Sequence, residues 1–306
     1  VPILFGDRLI GVLAVTNPVS GQSFTSTDFS LVESLAEQAG LAVHNNEFLF
    51  MQVEKRQLDL DLSVARDIQR LLVPREVPRM TGLDLDARHI PAQPVGGDLV
   101  DLFPLDGDRL GIAVADVSGK GVPASILMAI CRTNLRNFAQ LHRSPSAVLR
   151  ETNREMIGEM RQGMFITIVF GVVDLAQNSI VFARAGHELP LICQGDASGH
   201  FTTEYLKSEG MPVGMVEPEL FDKVLEDRTI VTRPGDLFVL YTDGVTEATN
   251  PEGKEFTGAR LADAVKTLHN RSAGDMISGI VKNVGRFSGR TDFPDDLSLI
   301  AVKRTG

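Results

Sequence analysis

Val114-Ala115-Asp116-Val117-Ser118-Gly119-Lys120-Gly121 sets an aspartate at the end of an apolar run that opens at Leu110 and reads as a buried strand. Leaving a carboxylate half-buried in such a place is costly unless something cationic compensates it. Three other stretches repeat the layout: Gly96-Gly97-Asp98-Leu99-Val100-Asp101, Leu240-Tyr241-Thr242-Asp243-Gly244 and Pro294-Asp295-Asp296-Leu297-Ser298-Leu299. Each alone is ordinary turn chemistry, because Asp-Gly and Gly-Gly-Asp favour tight turns. Taken together they pose one question, since a pair of divalent ions would compensate Asp98, Asp116, Asp243 and Asp295 at once.

Composition narrows the classes. The chain has 306 residues, enough for one large α/β domain and a smaller attachment. Its two cysteines, Cys131 and Cys193, lie far apart in apolar runs, so neither a disulfide framework nor a Cys-rich zinc site is expected. No apolar run reaches the roughly 20 residues needed to span a bilayer, and the first residues lack the pattern of a signal peptide. A cytoplasmic protein without membrane insertion is the expectation. A net charge of -10 argues against nucleic acid as the main ligand, which would need clustered Lys and Arg. Asp-rich sites suit hard cations such as Mg and Mn, which prefer oxygen donors.

Working outward along the chain, Val1 to Leu4 and Leu9 to Thr16 read as a hairpin turning at Gly6-Asp7. Ser26, Thr27 and Asp28 carry helix-start chemistry, and apolar residues then recur at helical spacing to Leu72, where Pro74 is expected to stop the helix. Leu35, Ala39, Ala42, Asn46, Leu49 and Val53 alternate in fours and threes, and Leu58, Leu62, Ala65, Gln69 and Leu72 resume that rhythm in a new phase. The seam fits either a two-stranded coiled coil or an amphipathic helix lying on its own domain. Beyond Thr81 the pattern turns to short strands broken by Gly and Asp. Strands are expected at Leu110–Val117, Phe165–Asp174, Ile180–Ala185 and Leu237–Thr242, with helices over Ala124–Leu141 and Ser146–Met160, the latter opened by Ser144-Pro145. Runs of strands with inserted helices point to an α+β sandwich.

The strings "VGGD", "VADVSGKGVPA", "MFITIVFGVVD", "ARAGHELPL", "GMPVGM", "LYTDGVTEA" and "DDLSLIAV" resemble the metal-dependent phosphatases called PPM or PP2C, in particular their bacterial SpoIIE/RsbU branch, across Thr81 to Val302. "RLIGVLAVTNP" followed by "FTSTDFSLVESLAEQAGLAVHN" resembles the last hairpin and C-terminal helix of a GAF domain. The implied layout is a GAF remnant at 1–46, a helical linker at 47–78 and a phosphatase domain at 79–306, a β-sandwich flanked by helices. By the same resemblance Asp116 would bridge two Mn or Mg ions, Asp98 and the Val117 carbonyl would serve one, and Asp243 and Asp295 would complete the other. Asp101 and Asp296 are then expected to be supporting or solvated carboxylates. The implied reaction is hydrolysis of a phosphoserine or phosphothreonine by a metal-activated water, on a STAS-domain anti-sigma-factor antagonist, by a homodimer joined through the linker. A catalytically weak or inactive scaffold of the same fold is the alternative.

Two departures from the eukaryotic members stand out. Their phosphate-holding Arg is replaced by the stretch Pro91-Ala92-Gln93-Pro94, and their His after the bridging Asp by Ser118 and Lys120. Protonation of the leaving group by a metal-bound water is the expected substitute. His187 in "AGHELP" reads as a structural turn histidine, and Lys120 as a loop-closing residue, since "SGKG" lacks the upstream Gly and following Ser/Thr of a P-loop. Neither cysteine lies in the C-x5-R loop of a cysteine-based phosphatase.

Overall fold

A computed structural model describes residues 1–306 except 17, 18, 20, 22, 73–76, 162, 197 and 291. The chain divides into two compact units, Val1–Ser63 and Val64–Gly306.

The first unit holds a hairpin of β1 (Pro2–Phe5) and β2 (Arg8–Val12) together with the greater part of helix α1 (Ser26–Leu72). β2 spans Arg8–Val12 rather than running to Thr16; Val12 pairs with Pro2, and Leu13 N donates to the Val1 carbonyl. Val32, Ala36, Gly40 and His44 recur every four residues and form the half-buried to buried face of α1, with His44 stacked on Phe5 at 3.6 Å. Gly40 is needed there, since a Cβ would run into the Leu4 carbonyl. The seam residues Leu35, Leu49 and Val53 lie on other faces and are exposed. Pro74, the expected stop, lies outside the described residues; α1 ends at Leu72.

The second unit contains β3 (Leu83–Ile90), β4 (Leu99–Pro104), β5 (Arg109–Val117), α2 (Val122–Leu141), α3 (Pro145–Ile157), β6 (Ile166–Asp174), β7 (Ser179–Ala185), β8 (Leu191–Gly195), β9 (Phe201–Tyr205), α4 (Pro218–Val224), β10 (Arg228–Val231), β11 (Leu237–Tyr241), α5 (Asp243–Thr246), α6 (Thr257–Leu268), α7 (Ala273–Ser288) and β12 (Leu297–Arg304). One antiparallel sheet has the order β10-β7-β6-β5-β4 and the other β3-β12-β11-β8-β9. The α+β class expected from the sequence holds. α3 opens at Pro145 behind Ser144, whose side chain accepts from Ala147 N, and ends at Ile157, short of the expected Met160.

Both faces of the central strands are buried, which explains their unbroken apolar runs. Along β5, Leu110, Ile112 and Val114 join the core between the sheets, while Ala113, Ala115 and Val117 pack with α2 and α3. Along β12, Ile300 and Val302 face the inter-sheet core, while Leu297, Leu299 and Ala301 pack with α6 and α7. Helices, sheet, sheet and helices therefore form successive layers. Because strand side chains alternate with period two, one parity on each strand points between the sheets.

Candidate metal centre

That parity assembles the site. Leu99 pairs with Ala115, so Asp98 and Asp116, each one residue further on, emerge side by side, in phase with the inward-facing Val100 and Val114. Tyr241 pairs with Leu299, and Thr242 and Ser298 continue the inward rows of Leu240 and Ile300. His89 on β3 lies opposite Ser298. All of these side chains meet at one end of the sandwich. Asp243 opens α5 directly after β11, and Asp295 and Asp296 directly precede β12.

Hydroxyls orient the deepest carboxylate of the acidic cluster. Asp98 Oδ2 accepts from Ser298 Oγ at 2.6 Å and from Thr242 Oγ1 at 3.0 Å, and Ser298 N donates to Thr242 Oγ1 at 3.1 Å. Since Ser298 gives its proton to Asp98, His89 Nδ1, 3.0 Å from Ser298 Oγ, is the donor in that contact. Neither Thr242, Ser298 nor His89 was picked out from the sequence. Only Thr242 offered a signal, directly before Asp243; Ser298 and His89 reach the site through the pairing of β12 with β3. Asp296 accepts from Ala92 N through Oδ1 at 2.8 Å, and Asp295 accepts from Lys120 Nζ at 3.1 Å.

Glycines make the room. Neither Gly96, Gly97 nor Gly244 has a positive φ, so turn conformation does not require them. A Cβ at Gly97 would sit 2.8 Å from the Val117 carbonyl oxygen, one at Gly96 would strike the Asp296 carboxylate, and one at Gly244 the Asp296 carbonyl. Gln69 holds Gly96 from both sides of its backbone, donating to the carbonyl at 2.7 Å and accepting from the amide at 3.2 Å.

The cluster is electrostatically strained. Burial, then the neighbouring Asp116, pushes Asp98 well above the ordinary carboxylate range. Burial, then Asp243 and Asp295, lifts Asp116 to about 6. Asp243 is raised by burial and then by Asp295. Crowded acids whose charged forms are this disfavoured are stabilised by a positive charge among them. Lys120 is the one basic side chain lining their cleft among the described residues. The donors are carboxylate oxygens with a main-chain carbonyl beside them, the set that hard divalent cations take. On charge and donor type the residues fit Mg or Mn.

Asp101, three residues beyond Asp98, has the opposite parity and faces α2. Arg136 bonds its two oxygens at 2.6 and 2.7 Å, Arg132 Nε lies at 3.2 Å, and its side chain is 1% exposed. It is an anchor between β4 and α2. His187 is equally occupied: Nδ1 lies 2.9 Å from Thr167 Oγ1 and Nε2 3.1 Å from the Tyr241 carbonyl, so Nε2 carries the proton. Arg184 fixes the same loop through the carbonyls of His187 and Ser208. Burial lifts the Cys131 thiol to about 12 and the Cys193 thiol to about 11, which leaves neither as a thiolate nucleophile.

The layered sheets and the acidic mouth between them define the PP2C type of phosphatase domain. The SiaA-PP2C domain of Pseudomonas aeruginosa superposes with a TM-score of 0.70 over 83% of this chain and 99% of that one, at 21% identity, a likeness of fold. The pattern of Stage II sporulation protein E (SpoIIE) matches residues 106–305 and that of the GAF domain residues 1–43, and the chain belongs to the SpoIIE family. Phosphoserine phosphatase RsbU of Bacillus subtilis is 28% identical over 92% of this chain and 80% of its own length. Protein IcfG of Synechocystis is 29% identical over 87% of this chain, which spans only 46% of that protein. Among the described residues no helix is long and apolar enough to cross a membrane.

Two outcomes follow for stability. Asp101→Ala leaves two guanidinium groups without their buried partner and is expected to cost about 3 kcal/mol in urea unfolding of the phosphatase unit; a loss below about 1 kcal/mol would show that the arginines find water instead. Burial lowers the His187 pKa from 6.5 to about 4, so between those values the unfolded chain binds the extra proton. Stability then falls as pH drops from 6.5 toward 4, by up to about 1.4 kcal/mol per unit from this group. A His187→Gln variant, compared with the parent across that window, is expected to lose less stability with acid; parallel curves would refute the assignment.

Proposed function

We propose that the chain is a metal-dependent protein phosphatase that hydrolyses phosphoserine or phosphothreonine on a regulatory protein. The observation that carries the reading is the electrostatic coupling of Asp98, Asp116, Asp243 and Asp295 at one end of the sandwich, with burial and mutual repulsion raising the pKa of the first three. In this reading Asp116, Asp98, the Val117 carbonyl, Asp243 and Asp295 would together hold two Mn or Mg ions, with Asp98 and Val117 serving one, Asp243 and Asp295 the other, and Asp116 both. Bound there, such ions supply a nucleophile from water at neutral pH and neutralise phosphoryl oxygens.

The chain's own residues do the positioning. Thr242 and Ser298 lock the Asp98 carboxylate, so it need not reorganise when charge develops. Gly97 admits the Val117 carbonyl to the cleft. His187, with both nitrogens bonded and its ring buried, has no part in proton transfer to substrate. Membership of the SpoIIE family, and a relative named for phosphoserine, favour a phosphoprotein substrate, for which we suggest a STAS-domain antagonist. We place the protein in the cytoplasm, in keeping with its two free buried thiols, and divide it into a GAF-derived part at 1–46, a linker at 47–78 and the phosphatase domain at 79–306. A homodimer through the exposed seam of α1 would bury Leu49 and Val53, now 61% and 67% exposed.

Manganese-dependent phosphate release from p-nitrophenyl phosphate and from a phosphorylated STAS-domain protein tests the activity. Asp116→Asn is expected to lower it more than about 100-fold, beyond what residues that merely support a ligand cost; no release by the parent would leave the scaffold alternative. Replacing Leu49 and Val53 by Glu is expected to yield a monomer by light scattering and to alter turnover. Unchanged mass and rate would eliminate the dimer.

A further inference from the structure

Resting on that phosphatase reading, we propose that Lys120 is the side chain that takes hold of the substrate's phosphate. The stretch Pro91-Ala92-Gln93-Pro94 beside the cleft has no basic residue, and its Ala92 amide is spent on Asp296. Lys120 lines the cleft together with Gly96, Gly97, Asp116, Asp295 and Asp296. A phosphomonoester dianion approaching this mouth meets the carboxylates of Asp116, Asp295 and Asp296. Even when paired cations cancel Asp98, Asp116, Asp243 and Asp295, Asp296 and the half-buried Glu188 remain in the neighbourhood, on a chain of net charge -10. A positive group at the rim is what such a ligand lacks.

The geometry suits a group that changes partners. Ser118 fastens the base of the loop, its amide donating to the Phe165 carbonyl at 2.9 Å and its Oγ accepting from Phe165 N at 2.8 Å. Gly119 and Gly121, with φ of 97° and 79°, turn the chain on either side so that Lys120 projects from a fixed stem. Its ammonium rests on Asp295 at 3.1 Å, with both side chains more than half exposed, at 54% and 57%. Exposed pairs of this kind contribute about 0–1 kcal/mol, so a doubly charged phosphate displaces the contact readily. Once Asp295 serves a cation, the attraction that keeps Lys120 on it weakens. A flexible point charge with rotatable donors is well suited to following the phosphate.

The test uses the full chain loaded with manganese, as parent, Lys120→Ala and Lys120→Arg. Calorimetric titration with inorganic phosphate, and KM and kcat on a phosphoserine peptide, are expected to show Ala weakening phosphate and raising KM about tenfold, with a smaller change in kcat, and Arg restoring most of both. Manganese affinity of the phosphate-free variants is expected to stay within about twofold of the parent. Equal phosphate affinity in parent and Lys120→Ala, or a loss confined to kcat, or a matching loss of manganese, would overturn the assignment. Should the parent bind phosphate in a Lys120-dependent way yet release none from any substrate, the phosphatase reading fails while the assignment of Lys120 survives.

Discussion

Carboxylates that repel one another are kept together here by strand register. Asp98 and Asp116 lie on neighbouring strands, one residue past the pair Leu99 and Ala115, and both fall on the parity that faces the inter-sheet core. Separating them would require slipping β4 against β5, and a slip of one residue would carry Leu102, Ile112 and their neighbours out of the apolar interior. The hydrophobic sandwich thus holds an acidic mouth that its own electrostatics oppose. Thr242 and Ser298, inward-facing on the second sheet, complete the arrangement by giving Asp98 two donors from across the sandwich.

The same alternation separates look-alike residues. Asp98 and Asp101 are three positions apart in one short motif, yet one is aimed between the sheets and the other at α2, where Arg132 and Arg136 receive it. In this chain an acidic residue's role depends less on its sequence neighbours than on whether its number is odd or even along the strand.

Much of this was legible in residue order. The apolar runs ending in Asp116 and in Tyr241-Thr242 marked buried strands and the carboxylates at their ends, and β5, β6, β7 and β11 lie within a residue of the expected bounds. The layered α+β fold followed from runs of such strands with helices inserted between them. What could not be read was pairing: nothing local says that β12 lies between β3 and β11, so the contact of His89 with Ser298 and the tie from Ala92 to Asp296 span gaps that periodicity does not bridge. The hairpin showed the same limit in reverse. Leu9 to Thr16 has strand composition throughout, but composition does not say which residues find a pairing partner, and β2 pairs from Arg8 to Val12. In α1 the heptad rhythm drew the eye to Leu35 and Leu49, while the residues that pack on the hairpin are the smaller Ala36 and Gly40.

Gly96, Gly97 and Gly244 carry a consequence for how such a centre can diversify. Each has a backbone or carboxylate oxygen where a methyl group would have to go, so the floor of the cleft tolerates hydrogen and nothing larger. Any difference in partner preference on such a scaffold would then have to sit at the periphery, on side chains such as Gln93 that line the cleft without forming its floor. The oxygens of the floor and the side chains of the rim are thereby left to separate tasks.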